Sequence, residues 1–374
     1  MDVECSEEIF GPRHDSLQVV IPLTILYVII FITGTIGNVS TCIVISKNKT
    51  MHTATNYYLF SLAISDQLLL LSGVPQEVFL FWQRYPYIFG DRFCFMRGLS
   101  NETSSNATVL IITAFTVERY LAICHPFLAH TMSNLSRAIK LIILIWLLSI
   151  CLAIPQAMPL KVVGKCPQCV VEETIIDYNF EISTILFFIA PMTVITVLYI
   201  LIGVKLRSNS AEKRITSTKI MRRSSKKVVN MLVAVVITFF LCWAPFHIQR
   251  LYVIYNVPTK ETRDAYMQIY GIITYISGFL FYTSATINPI LYNIMSAKFR
   301  DAFKETFSSC CFRGGGIYKP QRSISVVSKS LTKCQDSTDS GSRNNSLQSV
   351  SITLHKNYFS STVGIGEKTK IAHV

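Results

Sequence analysis

The sequence predicts an all-α membrane protein: a seven-transmembrane-helix bundle with a short amphipathic eighth helix. Three observations predict it. Of 374 residues, 51% are hydrophobic and only 15% charged, against about 25% charged in an average soluble chain. Seven runs are apolar over at least the ~20 residues that a ~30 Å hydrocarbon core demands. No run alternates with the period of two that a membrane barrel shows. A mean hydropathy of +0.41 also excludes a chain that is disordered throughout.

The runs follow in order at about Leu17–Ser46, Ala54–Phe81, Phe93–Ile123, Leu141–Leu160, Ile182–Val204, Val228–Val257 and Tyr266–Met295. Sixteen residues precede the first run, too few for a separate folded domain. They lack a short apolar stretch with a cleavage site, so the first run is expected to serve as the insertion signal. Beyond the seventh run Phe299, Phe303 and Phe307 recur every four residues between charges, the pattern of a helix lying on a membrane surface. The expected organisation is an outer N-terminus over 1–16, the bundle over 17–295, the surface helix over 296–311 and a disordered cytoplasmic tail over 312–374. That tail is rich in Ser, Thr, Lys and Asn. Cys310 and Cys311 close the surface helix as candidate lipidation sites, or as two ordinary thiols.

The net charge of +13 sits in short stretches between runs, which favours membrane topology over nucleic acid as its cause. Lys47 and Lys49 follow run 1; Lys205, Arg207, Lys213, Arg214, Lys219, Arg222, Arg223, Lys226 and Lys227 separate runs 5 and 6; Lys298, Arg300 and Lys304 follow run 7. Acids dominate the other side, with Asp2, Glu4, Glu7 and Glu8 at the start and Glu172, Glu173, Asp177 and Glu181 before run 5. The N-terminus is therefore expected outside and the C-terminus in the cytoplasm. The 11 cysteines are scattered and make no disulfide scaffold.

Ionisable groups inside a bilayer are costly and mark function until a partner accounts for them. Asp66 lies mid-run, either as a neutral carboxyl bonded to neighbouring helices or as an ion or proton site, with Asn38 and Asn288 as candidate amide partners. Glu118-Arg119-Tyr120 ends run 3, where a charge pair at a helix end can act as a latch or Arg119 can snorkel to water. Pro191, Pro245 and Pro289 each remove a backbone hydrogen bond within a run. Trp243 beside Pro245, with Phe239 a turn away, can act as a contact between two packings. Glu77 lies eleven residues outward of Asp66 and Glu102 seventeen outward of Arg119, about 16 and 25 Å along their helices. Both belong in the outer half of the bundle, where a cationic ligand group finds two acceptors. Arg250, five residues outward of Pro245, can instead neutralise one of them internally, or meet a ligand carbonyl or carboxylate above Phe246 and His247.

Taken together, Gly37-Asn38, Leu62–Asp66, Cys94, Glu118–Tyr120, Trp146, Pro191, Cys242–Pro245 and Asn288–Tyr292, in order and one set per run, resemble the rhodopsin-like (class A) G-protein-coupled receptors. Thr55–Ser61, Tyr85–Gly90, Val117–Phe127 and Cys242–Leu251 resemble the neuromedin U receptor group, and with Gly11–Ser16 most of all its insect pyrokinin and pheromone-biosynthesis-activating branch. Receptors for CAPA-type peptides are close. The resemblance implies an amidated peptide agonist with an arginine near its C-terminus, signalling mainly through Gq and calcium, and residence in the plasma membrane. It assigns the peptide arginine to Glu77 and Glu102, and a disulfide to Cys94 and Cys169, leaving Cys5 and Cys166 as a second candidate pair. It implies an activation switch of Trp243 and Phe239 against Val109 and Pro191, with Arg119 freed toward Tyr199, Tyr292 and the G protein. It further implies phosphorylation of the tail by receptor kinases, arrestin binding, and no cofactor beyond a candidate allosteric sodium ion at Asp66.

Other classes fit less well. An opsin needs a lysine in run 7, and Tyr266–Met295 has none. A transporter is expected to show internal repeats or a continuous polar path. An enzyme needs a nucleophile–base set or metal ligands, and the one Cys-x-x-Cys, Cys166–Cys169, lies in a loop without a matching pair.

Overall fold

The structure, a computed structural model, describes Cys5, Glu7 and residues 12–127, 135–171, 178–212, 219–256, 259, 261–295 and 297–311. The side chains of 209–212, 219–233, 235, 264, 292–295, 297–298 and 309–311 lie outside that description.

Seven long helices follow one another: α1 Leu17–Lys47, α2 Ala54–Trp82, α3 Gly90–Cys124, α4 Leu135–Ala157, α5, α6 Lys219–Tyr255 and α7 Arg263–Met295. Helix α5 runs as Asn179–Thr184, a π-helical stretch Ile185–Ile189 and then Ala190–Glu212. A turn of 3-10 helix, Lys49–Met51, links α1 to α2, and α8, Ala297–Cys311, follows α7. Six of these helices are long and apolar enough to cross a membrane. Helix α7 is as long, at 33 residues, and buries Ser277 and Ser284.

The packing follows from which faces are apolar. Helix α3 touches α2, α4 and α5, while α7 touches α1, α2 and α6 and closes the ring. Along α1, Ile25, Ile29, Ile32 and Ile36 repeat at helical spacing and remain 51–62% exposed. Such a stripe is unfavourable in water and natural against lipid. The opposite face buries Tyr27, Ile30 and Asn38. The central core joins Leu69, Leu70, Val109, Ile111, Trp243 and Phe281. Helix α8 buries Phe299 and Ala302 against Val44, Ile45, Met51 and Leu59, with Phe303 and Phe307 partly covered beside them.

Several helices extend beyond the apolar runs. Helix α4 begins six residues earlier than the run at Leu141, because Arg137 and Lys140 are good helix formers that reach water at a helix end. It ends at Ala157, not Leu160: Pro159 cannot continue it, and Leu160 instead starts a strand. Strands β1 Leu160–Val163 and β2 Gln168–Val171 pair antiparallel, Leu160 opposite Val171. Gly164 turns the hairpin at φ +96°, a conformation glycine adopts without strain. Strand β1 packs on α3, with Leu160 over Gly98. Helix α6 likewise starts at Lys219 rather than Val228, through the basic stretch. In α5 the π-helical stretch directly precedes Pro191: the Ala190 N–H reaches back to the Ile185 carbonyl, so a widened turn accompanies the proline.

Candidate functional site

At the end of the bundle that carries Cys94, two disulfides fix the covering loops. Cys94 at the start of α3 joins Cys169 in β2, Cα–Cα 5.9 Å, and Cys5 joins Cys166 beside the hairpin turn, Cα–Cα 5.3 Å. The Tyr87 N–H donates to the Pro167 carbonyl at 2.7 Å, and Asp91 accepts from the Val162 N–H at 2.6 Å. The segment before α1 is tied down as well: Arg84 donates to Asp15 at 2.5 Å, and the Tyr275 hydroxyl of α7 donates to the same carboxylate.

Beneath this cover, both outer glutamates are ion-paired. Arg250 of α6 donates through both Nη atoms to the two carboxylate oxygens of Glu102 on α3, with only 15% and 12% of the two side chains exposed. Two-point pairing of this kind fixes orientation as well as charge. The Arg250 guanidinium also lies 4.3 Å from the centroid of the Phe246 ring. Arg97 of α3 donates to Glu77 of α2 at 2.5 Å. Sequence reasoning foresaw Arg250 as a partner but passed over Arg97; the available signal was a second arginine inside run 3, with an acid on run 2. His247 is buried, hydrogen-bonded through Nδ1 to the Thr184 hydroxyl at 3.1 Å and stacked on Phe188 at 5.0 Å.

An aromatic column leads from this ion pair toward the middle of the bundle. Phe246 stacks on Phe281 of α7 at 4.4 Å and 9°. Phe281 meets Trp243 edge-on at 5.4 Å, and Trp243 stacks on Phe239 at 5.4 Å and 16°. Trp243, Phe239 and Val109 share the buried core. Phe281 was not singled out from sequence, where a phenylalanine in an apolar run reads only as core.

Deeper still, Asp66 is 1% exposed and accepts a hydrogen bond from Asn288 at 2.9 Å. Asn38 does not bond to it, contrary to the sequence expectation. Its amide donates to the carbonyls of Gly34 and Ala285, at 3.0 and 2.9 Å, because helix rotation turns it toward α7 rather than across to α2. The Thr108 hydroxyl donates to Ser65 at 2.9 Å and also faces Asp66. A carboxylate beside hydroxyls suits a small hard cation; among the described residues no three His, Cys, Asp or Glu side chains gather as a metal cluster.

At the opposite end, Arg119 is held between helices. It donates to Thr55 of α2 at 2.5 Å and pairs with its neighbour Glu118 at 3.3 Å, and Glu118 faces Tyr58. Tyr120 turns toward His125, 3.3 Å from hydroxyl to ring nitrogen. Tyr199 is buried, its hydroxyl accepting from Thr116 at 3.1 Å. Pro245 and Pro289 lie within α6 and α7, and Pro289 packs against Gly37, where a Cβ would stand 3.0 Å from the ring. The side chains of Tyr292, Cys310 and Cys311, the acids Glu172, Glu173 and Asp177, and the tail from Phe312 lie outside the described residues.

Comparison with known proteins agrees with this geometry. A family model described as the seven-transmembrane receptor (rhodopsin family) matches residues 37–292. A pyrokinin-1 receptor of Drosophila melanogaster is 50% identical, covering 79% of this chain and 81% of the relative. Neuromedin-U receptor 2 of Mus musculus is 38% identical, covering 87% and 84%, and a neuromedin U receptor homologue of Caenorhabditis elegans is 39% identical, covering 79% and 81%. The order of helices and these matches make one conclusion: the chain belongs to the rhodopsin family of seven-transmembrane receptors, a family of receptors and not of enzymes.

Proposed function

We propose that the chain is a plasma-membrane receptor for an amidated neuropeptide of the pyrokinin type, with an arginine near its C-terminus, signalling mainly through a Gq-class G protein and calcium. The names of its relatives support a peptide of the pyrokinin and neuromedin U kind. The single observation that carries the reading is the Glu102–Arg250 pair standing on the aromatic column. A peptide guanidinium brought to Glu102 or Glu77 competes with Arg250 or Arg97 for its carboxylate. Release of Arg250 frees Phe246, and the column transmits the change to Trp243 and Phe239. Helix α6 then swings outward, and Arg119 leaves Glu118 and Thr55 for Tyr199, Tyr292 and the G protein. This is a shift between two packings, driven by the peptide's preference for one of them.

The remaining assignments follow the same reading. The disulfide end faces the oxidising exterior, and the basic loops and tail face the cytoplasm. Asp66 takes an allosteric sodium ion, Cys310 and Cys311 carry palmitate that holds α8 against lipid, and the tail is phosphorylated by receptor kinases for arrestin. The deciding experiment measures calcium in cells expressing the receptor against a panel of amidated peptides. A rise with pyrokinin-type peptides at nanomolar concentration supports the reading. A response confined to CAPA-type peptides reassigns the ligand, and silence toward every peptide with intact surface expression rejects it.

A further inference from the structure

The contacts that fix His247 leave one of its ring nitrogens unpaired. His247 is 3% exposed, and its Nε2 is buried with no hydrogen-bond partner among the described residues. Buried polar atoms nearly always have partners, so an unpaired one calls for a group that another arrangement of the site brings to it.

Counting protons identifies what Nε2 offers. The Thr184 hydroxyl has one proton. It donates that proton to the Phe180 carbonyl at 2.8 Å, the back-bond of a helical threonine. Toward His247 Nδ1, at 3.1 Å, it therefore acts as acceptor. Nδ1 then carries the ring proton, and in a neutral imidazole Nε2 is left as a lone-pair acceptor. The ring is held in place: Phe188 stacks on it at 5.0 Å, and Phe246 meets it edge-on at 5.4 Å and 82°. Phe188 belongs to the π-helical stretch of α5 and Thr184 immediately precedes it, so the widened turn presents both to one imidazole.

A strong donor stands in the next row of the same helix. Helical side chains lean toward the helix N-terminus, so Arg250 reaches back over residues 246 and 247. Its guanidinium lies 4.3 Å from the Phe246 centroid. His247, three residues before it, is the neighbouring side chain on that face and interacts with its charge. Glu102 holds the guanidinium through both Nη atoms. The Arg250 side chain is only 15% exposed, so water does not readily replace Glu102 once a ligand cation takes that carboxylate. A buried guanidinium without an acceptor is strongly unfavourable, and a second cation at Glu102 repels it. Nε2 supplies a neutral acceptor one row away, reached by turning the guanidinium off Phe246.

We propose that His247 Nε2 receives the Arg250 guanidinium when a ligand cation occupies Glu102, which makes His247 a positioning residue of the switch. The proposal rests on the peptide reading of Glu102. His247 stabilises the packing in which Arg250 has left the column, and Thr184 sets the ring tautomer that makes this contact possible.

The test uses the full-length receptor in cells, at equal surface density by an epitope tag, with the amidated pyrokinin-type peptide that gives the strongest wild-type calcium response. Gln carries its amide oxygen at the ε position, as Nε2 is, and Asn at the δ position, as Nδ1 is. His247→Asn is expected to lower potency about tenfold or more, the worth of a hydrogen bond to a charged group, and to lower the maximal response. His247→Gln is expected to restore most of both. In an Arg250→Met background His247, Asn and Gln are expected to give one response, because the donor is gone. Should His247→Asn fail to reach the surface, Thr184→Val carries the same expectation, a loss beside Arg250 and none beside Met. Equal losses in Asn and Gln mean packing alone and overturn the proposal, as does wild-type behaviour of both. A loss in Asn that persists undiminished with Arg250→Met overturns Arg250 as the donor. Where Arg250→Met is itself silent, the contrast of Gln with Asn decides. Silence of wild type toward every amidated peptide overturns the peptide reading and this proposal with it.

Discussion

Arg250 pairs with Glu102 through both ends of its guanidinium while lying 4.3 Å from the centroid of Phe246. One side chain thus serves as counter-ion for an acid of α3 and as the cap of the aromatic column that ends at Phe239. Removing it from Glu102 changes charge and packing together. On the function proposed above, a ligand cation that competes for this carboxylate is expected to act at the same contact that binds it, the differential affinity for two packings that a switch needs.

Glu102→Gln keeps the shape of the side chain and removes its charge. Peptide potency in the calcium assay is expected to fall by at least about tenfold, which corresponds to about 1.4 kcal/mol, while surface expression holds. Glu77→Gln is expected to cost less, because Glu77 is more exposed, at 27% against 12% for Glu102. Unchanged potency in Glu102→Gln removes that residue from the ligand site.

Phe281→Leu removes the ring that stacks on Phe246 and meets Trp243, leaving those two only their direct edge-on contact at 6.5 Å, and adds no charge. The stacked and edge-on ring contacts it makes contribute about 0.5–1.5 kcal/mol each beyond area burial. Peptide affinity is expected to change little, while the maximal calcium response falls. A variant with full efficacy shows that the signal does not pass through this ring.

The bundle was legible because lipid imposes length and apolarity on every crossing segment, and a ladder such as Ile25, Ile29, Ile32 and Ile36 is read directly. The hairpin was not, since Leu160–Val163 and Gln168–Val171 are each four residues long and Leu160 continues an apolar run without a break. Its one local sign was Gly164 between two short aliphatic stretches. Helix rotation was equally hidden. Asn38 and Asn288 both looked like partners for Asp66, and only packing against α7 decided that Asn288 reaches it and Asn38 does not. The same ignorance of rotation left Arg97 and Phe281 unremarked, although each faces a residue already singled out.

The contacts of Arg119 with Thr55 and Glu118 make a prediction about signalling without ligand. Thr55→Val removes the hydroxyl that accepts from Arg119 and keeps the side-chain shape. A hydrogen bond to a charged group contributes about 1.5–3 kcal/mol. Basal inositol phosphate production at equal surface density is expected to rise several-fold. No rise means that Glu118 alone holds the arginine.

Asp66 bears on sodium. In membranes from expressing cells, replacing sodium chloride with the chloride of a large organic cation is expected to raise agonist affinity for wild type. In Asp66→Asn that sensitivity is expected to vanish, because the amide has no charge for the ion. Persistence of the effect in the variant places sodium elsewhere.

The two disulfides have separable roles. Cys94–Cys169 anchors β2 to the start of α3, and Cys5–Cys166 ties the segment before α1 to the hairpin turn. The first holds the cover over the Glu102 site; the second adds a strap whose other fastening is Asp15 on Arg84 and Tyr275. Peptide mapping of the unreduced protein is expected to recover both linkages. Cys169→Ser is expected to abolish surface expression or peptide binding, since β2 then loses its anchor to α3. Cys5→Ser leaves that anchor and the Asp15 contacts in place, so binding is expected to survive with a changed dissociation rate. Recovery of Cys5 and Cys166 as free thiols would reduce the strap to the Asp15 fastening, and Cys5→Ser would then match wild type in every rate.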